Sequence, residues 1–374
     1  MRTQIKKFYD YHIDPKRIRA RINDGQSDLL GALPHAYAIS KEQRHEIQRF
    51  WKPYIKSFVE RWAFNIRWFD VYNRTNVFEE KLEWYIPDSY YYAVIDTAFN
   101  DPIRCRYMDD KDLYDLYFHD VNQARTICRK EDNTFLDAKY SIISNSRAMA
   151  ICSNFEGVIL KPSVDSCSGS GIKKWVAGKD SEKTLMEMLN SQGPFIIQEL
   201  IHQHESLAIF NATCVNTIRL VTLAMGDQID VVTAVVIMGG PGAFTNHLHG
   251  GGLICGILPN GNLRSIAFDS KLNQYKQHPN GAIFANCKIP NYHKCVDLVK
   301  DLAPRLFGMS RLTAWDITLD EHAEPVLIEA NLQWGGVVQK AAGPVFGDRT
   351  KEVLEYVHYK KQCWRQIHSL YAMV

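Results

Sequence analysis

Asp316, Glu329 and Asn331 are the residues of this chain whose types and spacing specify chemistry most directly. They fall within LTAWDITLDEHAEPVLIEANLQWGG, residues 312–336, where two apolar runs flank an HAEP turn. Residues two apart on a strand project from the same face, so Glu329 and Asn331 stand side by side, and the turn folds Asp316 back toward them. Two carboxylates and an amide make an oxygen-donor set for a hard cation. Mg²⁺ suits such a set when water or phosphate oxygens take its remaining positions, and Mn²⁺ is an acceptable substitute. A solvated hairpin face would account for Asp320, Glu321 and Glu324. It would not account for Glu329, which sits inside VLIEANL where an uncompensated charge is costly.

A second chemical segment lies upstream, in FEGVILKPSVDSCSGSGIKKWVAG. An apolar strand delivers Lys161, and a loop containing Ser168, Gly169, Ser170 and Gly171 leads into a second strand. Glycines let backbone amides approach phosphate oxygens, hydroxyls add donors, and a lysine supplies a point charge. The loop is not GxxxxGK[ST], because the lysine precedes the glycines and the loop joins two strands. Arg219 stands in TIRLVTL, a run that otherwise reads as a buried strand. An arginine there needs an anionic partner, either a transferred phosphoryl group or the carboxylate of a structural salt bridge. Lys271 and His278, in DSKLNQYKQHPNG, mark a polar loop able to close over a substrate.

These residues must be held by a larger frame. With 374 residues, 46% of them hydrophobic, the chain can bury two or three packed lobes. Residues 1–100 carry aromatic and apolar residues at three- and four-residue spacing, which predicts a helical N-terminal region whose rings form core. From about residue 133 strand and helix patterns mix, which predicts an α+β class. The net charge of +2 comes from interspersed signs, which excludes a nucleic-acid stripe. No apolar run reaches membrane-spanning length and the N-terminus has no signal-peptide pattern, so the expectation is a cytoplasmic protein without stable membrane insertion. The nine cysteines are odd in number and scattered, and are expected to be reduced thiols. Two HxH pairs, His202 with His204 and His247 with His249, lack the cysteines that would complete a zinc site.

Taken together, Lys161 with its glycine-rich loop, FIIQELI, VNTIRLVTL and the Asp316, Glu329, Asn331 trio resemble the ATP-grasp superfamily, and within it the sugar-transfer-associated ATP-grasp proteins of cell-surface polysaccharide biosynthesis. The resemblance covers residues 107–357. It implies two α+β lobes gripping ATP behind the helical region, with a first lobe at 101–205 and a second, carrying the metal site and a C-terminal helix, at 206–374. By the same resemblance Lys161 contacts the α and β phosphates, and Lys111, in DDKDLYD, is either a second nucleotide lysine or a solvated helix residue. Gln198, Glu199, Leu200 and Ile201 would line the adenine, and His204 or Glu205 would reach the ribose. The implied activity is an ATP- and Mg²⁺-dependent carboxylate–amine ligase working through an acyl phosphate, with Arg219, Lys161 and Lys271 as catalytic candidates. Its substrates would be a small carboxylate and an amine or sugar, and association with polysaccharide-building enzymes is expected. Two rivals are a sugar kinase using Asp269 or His278 as base, and a non-catalytic nucleotide-binding partner of a glycosyltransferase.

Overall fold

Lys161 and the glycine turn at residues 169–171 sit on a sheet whose strands alternate between a helix-covered face and an open one. The computed structural model describes residues 37–100, 104–164 and 169–371; Ser168 lies outside them. The first sheet comprises β1 (Thr126–Glu131), β2 (Thr134–Asp137), β3 (Ile142–Ile143), β4 (Gly157–Pro162), β5 (Lys173–Val176) and β6 (Phe195–Glu199). The strands lie in the order β3-β2-β1-β6-β4-β5, and every adjacent pair is antiparallel. Val158, Leu160 and Ile197 point into a core closed by Ala148, Cys152, Leu185 and Leu189 of two helices, Asn145–Cys152 and Glu182–Leu189. Strand alternation therefore turns Ile159 and Lys161 to the other face.

The second sheet holds β7 (Thr217–Met225), β8 (Gln228–Met238), β9 (Leu253–Ile257), β10 (Leu263–Phe268), β11 (Gln274–Tyr275), β12 (Leu312–Leu319) and β13 (Pro325–Asn331). Their order is β11-β10-β9-β8-β7-β12-β13. β12 is buried along its whole length because both its faces are covered. Trp315, Ile317 and Leu319 pack with Cys295, Val299 and Leu302 of the helix Tyr292–Leu302. On the opposite face Leu312 and Ala314 join a core supplied by the helical N-terminal region. Asp316 follows on that second face.

Those N-terminal helices are Lys41–Trp51, Phe58–Ala63, Trp68–Thr75 and a segment over residues 88–99. Ser40 and Ser57 each open a helix with a capping box, donor and acceptor satisfied reciprocally with Gln43 and Glu60. Trp51, Trp68, Tyr72 and Tyr91 are fully buried, so these rings are core, in one cluster with Val221, Leu223, Trp334 and the helix Thr350–Tyr371 residues Val353 and Leu354. The segment 88–99 contains a π turn at Tyr91–Ile95, a rare geometry that often marks functional places. It turns Tyr91 onto Trp334, with ring centroids 4.0 Å apart and planes 12° from parallel. Gly336 packs so closely on Asp88 that an added Cβ would lie 2.2 Å from its Oδ2. Asp88 also meets the buried Lys340 at 3.7 Å, which ties the helical region to the short helix Val337–Ala342.

Candidate active site

A row of charged side chains crosses the second sheet where its helical cover ends. Pairing sets Arg219 of β7 opposite Asp316 of β12, and Asp316 opposite Glu329 of β13. Residues directly opposite share a face, so the three stand in line. Asn331 is diagonal to Asp316 and donates to its Oδ2 at 3.3 Å, which leaves the amide oxygen available. The first lobe closes the line. Lys111 Nζ lies 3.9 Å from Glu329, and Lys161 feels both Glu329 and Lys111. The backbone N–H of Lys111 donates to the Ser163 carbonyl at 2.9 Å, which holds both lysines to the end of β4.

The two lobes treat their charges differently. Burial pushes the Lys161 amine down to about 8; the nearby Glu329 opposes the shift and Lys111 adds to it. Burial also acts against the Arg219 charge, but Asp316, with Glu329 and Tyr92, outweighs it and holds the guanidinium above its ordinary value. Arg219 grips both Asp316 oxygens at 2.7 Å and donates to the Trp334 carbonyl at 3.3 Å. The salt-bridge reading of Arg219 is thus present in the fold. Each carboxylate oxygen keeps a lone pair after that bond, so the fork does not exhaust Asp316 as a donor.

The donor set fits a hard cation, since two carboxylates and an amide oxygen face one side with no thiolate or imidazole among them. Among the described residues no group of three His, Cys, Asp or Glu side chains is placed to hold a metal, so such a site depends on the Asn331 amide. The surroundings fit an anion as well. Three cationic side chains accompany two carboxylates, and the buried Ser163 Oγ, beside the lysines, has no hydrogen-bond partner. Ser163 was not singled out from sequence, because a serine after Lys-Pro carries no distinguishing signal. Arg129, which braces Asp112 and Asp115 beside Lys111, was missed for the same reason.

Gly169 and Gly171 both have positive φ, at 75° and 77°. An added Cβ would meet Thr245 of the second lobe at 3.1 Å and Pro162 at 2.8 Å respectively, so glycine is required there by conformation and by space. Ser170 is exposed at the tip of this turn. In the FIIQELI strand Gln198 is buried and spends its amide on the Ala124 carbonyl at 3.1 Å, while Glu199 pairs with Arg125 at 3.2 Å. An adenine at this edge would meet backbone groups and the half-buried Leu200 and Ile201 instead of the Gln198 side chain. His204 caps a short helix, accepting from the Ser206 N–H at 3.1 Å, and Glu205 is exposed beside it.

Other candidates stand apart from the row. Lys271 is exposed in a turn that Asp269 closes on itself by accepting from the Lys271 and Asn273 amides, and this turn follows β10 near the far edge of the sheet. Asp269 is further occupied by the Tyr275 hydroxyl at 3.1 Å. His278 is buried, 3.2 Å from the Gly239 carbonyl and edge-on to Phe210, because its loop folds back into the core instead of covering a substrate. The hydrogen bonds of both kinase-base candidates go to their own loops and to Gly239, not to the charged row. His202 pairs with Glu156, and the His247 and His249 rings lie 5.0 Å apart without a third ligand. The described cysteines are all free. Among the described residues no helix is long and apolar enough to cross a membrane.

Two sheets facing each other, one bearing a lysine and glycine-rich loop and the other an Asp–Glu–Asn set, define an ATP-grasp architecture. The chain belongs to the sugar-transfer associated ATP-grasp family, whose profile matches residues 96–355. No curated protein matches it. Among solved structures it is similar to D-alanyl-alanine synthetase A from Vibrio cholerae, at 12% identity and a TM-score of 0.45, over 70% of this chain and 68% of that one. VanG D-Ala:D-Ser ligase from Enterococcus faecalis is similar at 13% identity and a TM-score of 0.44, over 70% and 64%. The ATP-grasp ligase PsnB, solved with minimal precursor, Mg and ADP, is similar at 11% identity and a TM-score of 0.38, over 71% and 62%. The chain thus spans 62% to 68% of the length of these structures.

Proposed function

We propose that the protein is an ATP-dependent ligase joining a small carboxylate to an amine, and that the substrates are a sugar acid, an amino acid or an amino sugar bound for a surface polysaccharide. The observation that carries this reading is the continuous row from Lys161 and Lys111 through Glu329 and Asp316 to Arg219. Its lysine end suits the nucleotide phosphates, and its arginine end suits a charge that develops on an acyl phosphate.

Asp316, Glu329 and the Asn331 amide would hold Mg²⁺, which when bound supplies charge neutralisation to the phosphate oxygens. The chain's own groups do the rest. Lys161 and Lys111 fix the phosphates, Ser163 and the turn at Gly169 and Gly171 donate to them, and the substrate carboxylate attacks the γ-phosphorus while the bond to ADP breaks. Arg219 holds the resulting acyl phosphate. The amine then attacks its carbonyl carbon, the new C–N bond forms, and phosphate leaves with the electron pair of the broken C–O bond. No protein nucleophile is required.

The test is to incubate the protein with ATP, Mg²⁺ and arrays of amino acids, uronic acids and amino sugars while following phosphate release. Amine-dependent phosphate release is the expected result. With a carboxylate carrying ¹⁸O, one labelled oxygen should appear in the released phosphate; unlabelled phosphate alongside an amide product would rule out the acyl-phosphate route.

A further inference from the structure

The row ends at Arg219, and beyond it lies a group that the phosphate and metal chemistry does not use. The guanidinium donates to the Trp334 carbonyl at 3.3 Å, and the Trp334 backbone N–H lies 3.4 Å from the Tyr91 hydroxyl. Burial raises the Tyr91 phenol, and Tyr91 lies near enough to Asp96 for the carboxylate to help raise it. Asp96 follows directly on the π turn, half-buried, with one oxygen accepting from Asn100 at 2.8 Å and the other from Gln333 at 3.3 Å. Asn100 is itself fixed to the Leu312 and Leu332 carbonyls at 3.1 and 2.6 Å, so the carboxylate is moored at the mouth of β12 and β13. Gln333 continues the Glu329, Asn331 alternation and is exposed. The lysines meet the row at Glu329; this carboxylate, bonded to Gln333 next to Trp334, stands beside its Arg219 end.

We infer that Asp96 is the proton acceptor for the attacking amine, in a subsite for a primary ammonium formed with the exposed Gln333. This inference rests on the ligase reading above. The ammonium gives one proton to the Asp96 carboxylate, the freed lone pair forms the C–N bond, the C–O bond to phosphate breaks, and the second nitrogen proton leaves with the phosphate. Asp96 then returns its proton to water. Burial pushes its carboxyl up to about 7, partly offset by the bonds from Asn100 and Gln333 and by the neighbouring Tyr91, so near neutrality it passes readily between the two forms. Among the described residues the titratable groups around it are Tyr91 and Tyr92 on its own segment, with Cys105 and Arg219 beyond those rings; Lys360 is committed to the Ala98 carbonyl at 2.5 Å.

The experiment compares two nucleophiles, the amine found in the array and hydroxylamine, which is largely unprotonated at neutral pH and needs no base to become reactive. In Asp96→Asn the ratio of amine-dependent to hydroxylamine-dependent turnover should fall by about 100-fold or more, the usual share of a general base. In the wild type the amine-dependent rate should rise with pH through about 7 as the carboxylate ionises, whereas the hydroxylamine rate should not. Equal losses for both nucleophiles, an unchanged ratio, or a wild-type amine profile without that rise would overturn the assignment. Absence of hydroxamate from the wild type with every carboxylate would instead overturn the ligase reading, and this inference with it.

Discussion

The two ends of the charged row are built on opposite principles. At the arginine end every strong donor is already engaged: Arg219 holds both oxygens of Asp316 and a backbone carbonyl, and Asn331 donates to the same carboxylate. The lysine end is less complete. The Lys161 amine is depressed by burial, and the buried Ser163 hydroxyl has no hydrogen-bond partner. A preorganised end needs no rearrangement to stabilise developing charge, whereas an unfinished end gains most when an anion arrives. On the reading proposed above, the contrast gives ground-state nucleotide binding to the first lobe and transition-state work to the second.

The comparison can be broken by substitution. The largest effect is expected from Glu329→Gln, which should lower turnover by at least about 100-fold while the fold persists and both lysines remain to hold ATP. Phosphate release in Mg²⁺ at the wild-type rate would remove Glu329 from the site. Arg219→Met leaves Asp316 buried without its fork, and should cost about 3–5 kcal/mol of stability as well as kcat; chemical denaturation measures the first and steady-state kinetics the second. Arg219→Lys should lower kcat more than ATP affinity, because it keeps the charge but loses the fork. A parallel loss of both would make the arginine end a ground-state ligand like the lysines. Lys161→Ala should weaken ATP by about 1–3 kcal/mol and leave adenosine nearly unchanged, which calorimetry with the two ligands distinguishes.

The smallest effect is on pH. The folded Lys161 amine titrates at about 8 against an ordinary 10.5, so between those values the unfolded chain binds the extra proton and stability rises with pH as the burial cost of the charge disappears. ATP favours the charged form and acts in the opposite direction. Above about pH 8 nucleotide binding should therefore take up a proton, seen as a binding heat that changes with the ionisation enthalpy of the buffer, and Lys161→Ala should lose that uptake.

Much of this arrangement is legible in the sequence because strand alternation is a strong rule. The facing of Asp316 and Glu329 follows from two apolar runs and a turn, and the outward aim of Lys161 follows from Val158 and Leu160 pointing in. What alternation leaves open is which partner takes a polar side chain. Gln198 has a strand position suited to an adenine edge, yet its amide is spent on Ala124 of the neighbouring β1 side. His278 looks like a loop residue, and nothing local says that its loop folds onto Phe210. Asp96 escapes a linear reading altogether, since its bond to Gln333 spans 237 positions. The aromatic N-terminal helices were recognisable as core by spacing, but the face they cover is set by the sheet they meet.

The contact of Gly336 with Asp88 bears on how such a chain can diverge. Because a single methyl on residue 336 would overlap the carboxylate, with 2.2 Å between them, the strand-to-helix corner beside the row and the helical region around residue 88 fit each other to the atom. Sequence drift in either segment is acceptable only when the other compensates. Across relatives the two segments should therefore change together, so that exchanging one of them between distant relatives would yield inactive hybrids even where every phosphate and metal ligand is retained.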